Sequence, residues 1–72
     1  NNKALIEHDV IVRDNCHIST NSTLNGEVVV GNNSFIGSSS VVKQKIKIGK
    51  NCFINANIFI DKNLKDNSKI YE

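Results

Sequence analysis

The chain has 72 residues, with nine Lys or Arg against seven Asp or Glu, two His and two Cys, and a formal net charge of +2. So short a chain makes one small domain, whose limited core usually needs a disulfide, a metal or a partner subunit. The near balance of charge excludes a nucleic-acid binder acting through a basic field, and no apolar run approaches the roughly 20 residues of a membrane helix.

The chain opens on Asn1 with neither Met nor a signal peptide, already close to its first repeat, which leads us to expect a fragment of a longer protein. Asn1-Asn2-Lys3 carries no pattern and reads as a frayed start or a boundary to a preceding domain. From there a period of six takes over. Ile6, Val12, Ile18, Leu24, Val30, Ile36, Val42, Ile48, Ile54 and Ile60 are all aliphatic, and all but Leu24 are β-branched. The column from Ala4 runs Val10, Cys16, Ser22, Val28, Ser34, Ser40, Ile46, Cys52, Ile58 and Leu64, every one small or aliphatic.

A step of six moves an α-helical position about 120° round its cylinder, so no helix face explains these columns. Irregularly spaced hairpins do not give a strict period either. Repeated β-branched residues between polar corners instead predict one short strand per hexad. The first residue of each hexad points inward, and the fifth fills a tight inner corner. The second position holds Gly31, Gly37 and Gly49, read as supplying the backbone freedom of a tight corner.

Three hexads close a triangular coil of 18 residues, predicting that residues i and i+18 stack at about 4.8 Å. The inner columns are then Ile6-Leu24-Val42-Ile60, Val12-Val30-Ile48 and Ile18-Ile36-Ile54. Cys16 and Cys52 fall two coils apart, about 10 Å, too far for a disulfide, and both read as small buried hydrophobes. After Leu64 the period fails, and Lys65 to Lys69 form a polar exit turn. Ile70-Tyr71 reads as a final strand leaving the helix. The whole of 1–72 is one all-β domain, hexads 4–65 followed by the exit turn and short strand 66–72, in about three and a half coils.

Chemistry is confined to few residues. His8 is the third residue of its hexad, at a corner, with Asp9 beside it. A carboxylate next to an imidazole stabilises the protonated ring, which suits a general base; the structural alternative is a solvated corner histidine. Gly26 stacks on His8 and leaves open space above its ring. His17 points outward with Phe35 and Phe53 in its column, an exposed aromatic stripe of the kind that marks an interface. Lys43, Lys45, Lys47 and Lys50 either meet phosphates of a nucleotide cofactor or form a solvated face. Ser38-Ser39-Ser40 has no base to activate it and reads as corner filler.

These hexads resemble the signature of left-handed β-helix acyltransferases, and the left-handed coil is an implication of that resemblance alone, since parallel crossovers are normally right-handed. The likeness lies in IEHDVIVRDNCHIS, LNGEVVVGNNSFIGSSSVV and IKIGKNCFINANIFI, and runs without gaps over nearly the whole chain. It looks most like the branch of sialic-acid O-acetyltransferases and bacillosamine-pathway UDP-amino-sugar N-acetyltransferases. The His-Asp pair nine residues before a second histidine is its most telling feature. Val12-Arg13 stands where that branch usually has Ile-Gly, and Asn55-Ala56 where it has a Gly pair.

By resemblance, His8 matches the catalytic base and Asp9 the acidic residue supporting it. His17 matches a contact to acetyl-CoA, and Gly26, Ser38 and Ala56 line the cofactor groove, chiefly through backbone groups. The resemblance implies a homotrimer with sites between neighbouring helices, a sugar or nucleotide-sugar acceptor, acetyl-CoA as co-substrate, and no metal, nucleic acid or membrane partner. It also implies that an N-terminal nucleotide-sugar domain is missing. Free cysteines and the lack of a targeting segment point to the cytoplasm. Two other readings compete: a non-catalytic trimerisation or scaffold helix, and a γ-carbonic-anhydrase-like metalloenzyme. The latter needs three zinc-ligating histidines where this chain has two.

Overall fold

In each hexad the sixth residue and the first of the next form a strand, and the polar residues between them turn the chain. The computed structural model describes residues 3–72, so the start expected to fray at Asn1 and Asn2 lies outside the described residues. Its strands are β1 Leu5–Ile6, β2 Ile11–Val12, β3 His17–Ile18, β4 Thr23–Leu24, β5 Val29–Val30, β6 Phe35–Ile36, β7 Val41–Val42, β8 Lys47–Ile48, β9 Phe53–Ile54, β10 Phe59–Ile60 and β11 Lys69–Ile70. They stack as three parallel sheets: β1-β4-β7-β10 (the first), β2-β5-β8 (the second) and β3-β6-β9-β11 (the third). From β1 to β10 consecutive strands go to successive sheets, which makes a three-sided parallel β-helix.

The registers are those the period predicts. Ile6 pairs with Leu24, Leu24 with Val42, and Val42 with Ile60. Val12 pairs with Val30 and Val30 with Ile48; Ile18 pairs with Ile36 and Ile36 with Ile54. From Ile18 onward all these inner residues are buried, with Leu24, Val30, Ile36, Val42 and Ile54 wholly so. Ile6 and Val12, in the first coil, are 44% and 39% exposed. Burying aliphatic side chains of this size contributes about 1.5–3 kcal/mol each, so the three columns hold the fold together.

The corners depart from expectation in one respect. No glycine has a positive φ. The left-handed backbone falls instead on the fourth residue of the hexad: Lys3, Asp9, Asn15, Asn21, Glu27, Asn33, Ser39, Lys45, Asn51, Asn57 and Asn67 have φ between 57° and 67°. Asn visits this region more readily than other non-glycine residues, and it fills six of these eleven positions. The glycines at the second position answer a different need, close approach between coils. A Cβ on Gly31 would stand 2.6 Å from the Gly49 carbonyl carbon, and one on Gly37 2.5 Å from that of Asn55.

Small residues at the fifth position do more than fit. Ser22, Ser34 and Ser40 are buried, and each hydroxyl donates to a corner carbonyl of the next coil: Gly37 O at 2.8 Å, Gly49 O at 2.8 Å and Asn55 O at 2.7 Å. Cys16 Sγ makes the same contact to Gly31 O at 3.0 Å, and Cys52 Sγ to Lys65 O at 3.2 Å. Both cysteines are free; Cys52 is buried and Cys16 partly so. Among the described residues no buried side-chain nitrogen or oxygen lacks a hydrogen bond, as the cost of an orphaned polar group requires.

The end of the chain corrects the expected exit. The period does not fail after Leu64; it slips by two residues before it. Leu64 bridges to Ile48, and Ile70 pairs with Ile54, offsets of 16 instead of 18. Leu64 therefore belongs to the inner column of the second sheet, not to the fifth-position column. Lys69–Ile70 does not leave the helix but adds β11 to the third sheet, bringing the solenoid to about four coils.

Candidate active site

His8 and Asp9 sit in the corner that joins the first sheet to the second in the first coil. His8 Nδ1 donates to Asp9 Oδ2 at 3.1 Å, with side chains 72% and 78% exposed. Such exposure leaves the pair screened by water and of little weight for stability. Its value is orientational: with Nδ1–H committed to Asp9, a neutral ring carries its free lone pair on Nε2. The backbone beneath is fixed, since Glu27 N donates to His8 O at 3.0 Å and Lys45 N to Gly26 O at 2.9 Å.

Gly26 lies under His8, one coil on, but the space expected where its side chain is missing is not open. The imidazole itself fills it, so a Cβ on Gly26 would meet Nε2 at 2.8 Å and Cε1 at 3.0 Å. His17 lies elsewhere. It is outward on β3, stacked on Phe35 at 5.1 Å and 7°, and Phe35 stacks on Phe53 at 5.1 Å and 8°. Tyr71 extends the column, 5.5 Å from Phe53, and so packs on the solenoid instead of departing from it.

The third sheet faces away from the corner that holds His8. A single chain therefore brings His8, Asp9 and Gly26 together and keeps His17 on the far side of the triangle. Ser38 and Ala56 occupy the corner between the third and first sheets, beside the His17 column, and both are exposed. Lys43, Lys45, Lys47 and Lys50 are all exposed, as a solvated face requires.

An open cleft of about 550 Å³ lies at the C-terminal end, over Ile58, Ile60, Leu64 and Ile70, with Asp61, Lys62 and Glu72 at its edge. None of the residues expected in the site lines it. Among the described residues no group of three His, Cys, Asp or Glu side chains could hold a metal ion, and no helix is long and apolar enough to cross a membrane.

The fold and its repeat define a hexapeptide-repeat solenoid. The chain belongs to the family described as the hexapeptide repeat of succinyl-transferase, which matches residues 27–62, half of the sequence. Among solved structures it is similar to serine acetyltransferase isoform 3 of Entamoeba histolytica, determined in complex with cysteine, with 17% identity and a TM-score of 0.54. That likeness covers 97% of this chain and 33% of the other, so the chain spans a third of that protein's length, and the likeness is one of fold. No protein of curated function matches the sequence.

Proposed function

We propose that the chain is the acyl-CoA-binding β-helix of an acetyltransferase that moves an acetyl group to an amine or hydroxyl of a sugar or nucleotide-sugar. Membership of a transferase family supports the acyl-transfer chemistry. The observation that carries the site is the His8–Asp9 contact. It leaves Nε2 able to take the acceptor's proton as the acceptor attacks the thioester carbonyl. Asp9 then stabilises the imidazolium, the carbon–sulfur bond breaks, and the proton passes to the departing CoA thiolate. No covalent enzyme intermediate and no metal is involved.

His17, Ser38 and Ala56 contact acetyl-CoA from a second copy in this reading, and Gly26 lies on the His8 side of the same groove. Their placement on different sides of the triangle supports a site between copies in a homotrimer, with the His17-Phe35-Phe53-Tyr71 column at the interface. The cytoplasm and a preceding nucleotide-sugar domain remain part of the proposal. The test is acetyl-CoA turnover with sialic-acid and UDP-amino-sugar acceptors. His8→Ala should lower it by about 10²-fold or more while leaving the oligomer intact; near-normal turnover removes His8 from the mechanism.

One observation favours a second reading. The His8–Asp9 pair is exposed in the single chain, as a solvated corner of a non-catalytic trimerisation or scaffold module would be. Titration with acetyl-CoA separates the two, because a scaffold gives no saturable binding.

A further inference from the structure

We propose that Gly26 is a positioning residue for His8, its bare Cα being the seat on which the imidazole lies. The inference rests on the reading of His8 as the general base. Two observations lead to it. The first is that the corner backbone does not itself demand glycine at the third position of a hexad. Asp14, Thr20, Asn32, Ser38, Gln44, Lys50, Ala56 and Lys62 occupy that position elsewhere, and Gly26 has no positive φ. The glycine therefore answers something particular to this corner.

The second observation is what surrounds it. A Cβ on Gly31 or Gly37 would strike backbone of the next coil, and one on Gly49 would strike Asp66 side chain and backbone. On Gly26 the same atom meets only the His8 ring: Nε2 at 2.8 Å, Cε1 at 3.0 Å and Cδ2 at 3.4 Å. A methyl group there leaves the coil in place and displaces the imidazole. It closes on the very edge of the ring that Asp9 leaves unprotonated, and it levers Nδ1 off its 3.1 Å contact to Asp9. Gly26 so fixes the direction in which the base presents its lone pair, without itself taking or giving a proton.

Gly26→Ala in the full chain tests this. In the parent protein, proton NMR should show contacts between the Gly26 α-protons and the His8 ring protons. In the variant the His8 ring resonances should move while amide resonances of the other coils stay in place. Turnover should fall on the order of 10²-fold, the usual cost of misplacing a reacting group by about an ångström, with KM for acetyl-CoA held within about twofold. Added to His8→Ala, Gly26→Ala should cause no further loss of turnover and no loss of folding.

Unmoved ring resonances overturn the proposal. So does a raised KM with kcat kept, which assigns Gly26 to the cofactor groove instead. A variant that fails to fold even beside His8→Ala overturns it as well, because the methyl then clashes with backbone. Normal turnover of His8→Ala alone removes the general base; the ring resonances of Gly26→Ala still decide the seat.

Discussion

Replacing Gly37 with alanine separates two explanations for the corner glycines, conformational freedom and close approach. Gly37 has no positive φ. Were conformation the only issue, alanine would fit and would stabilise by about 0.4–1 kcal/mol through the unfolded chain. The structure argues the reverse. The added Cβ would stand 2.5 Å from Asn55 C and 2.6 Å from both Ala56 N and Asn55 O, against an ordinary contact of at least 3.4 Å. The second and third coils must then part by about 0.9 Å at this corner, the difference between those two distances.

That movement stretches Gly37 N to Ile54 O (2.7 Å), Asn57 N to Ser38 O (2.9 Å) and Ser40 Oγ to Asn55 O (2.7 Å). Two or three hydrogen bonds at about 1 kcal/mol each are weakened. Less the unfolded-state gain, the net loss is about 2 kcal/mol, which for a domain of this size lowers Tm by roughly 8–16 °C. Urea unfolding followed by circular dichroism, at one fixed protein concentration, measures it. A neutral or stabilised Gly37→Ala would refute the close-approach explanation.

Ser34→Ala should cost about 1–3 kcal/mol, since it strands Gly49 O and the Cys52 N–H that the hydroxyl accepts at 3.0 Å. Ser34→Cys should lose less than Ser34→Ala in the same urea titration, because Cys16 and Cys52 make the equivalent contact. Lys45 holds φ at 64°, a conformation costly for a long side chain, so Lys45→Asn should raise stability by about 0.5–1 kcal/mol; thermal unfolding that shows a loss counts against strain there. Phe53→Asp places a charge in the middle of the aromatic column and should weaken self-association by about tenfold or more, some 1.4 kcal/mol. An unchanged sedimentation profile takes the column out of the interface.

The inner columns were legible in the sequence because β-branched residues every six positions have one geometric solution, and the registers at 18 residues follow from it. The corners were harder to read. Gly31, Gly37 and Gly49 suggested backbone freedom, yet their role is steric, and steric need depends on a neighbouring coil that is distant in sequence. The strained position was nonetheless written in the Asn15, Asn21, Asn33, Asn51 and Asn57 column. Leu64 kept its step of six from Ile58, which hid its move to the inner column; only pairing with Ile48 reveals it. In the site, adjacency alone made the His8–Asp9 contact readable. The ring resting on Gly26 was not readable, because a side-chain rotamer fills the gap that an absent Cβ leaves.

The two-residue slip before Leu64 shows how this architecture keeps time. Each turn is registered only against the turn it touches, so an omission at one bend displaces everything beyond it as a block while the stacking continues. Length is thus stored locally, and the bends are where such a chain can be trimmed or spliced without rewriting the rest.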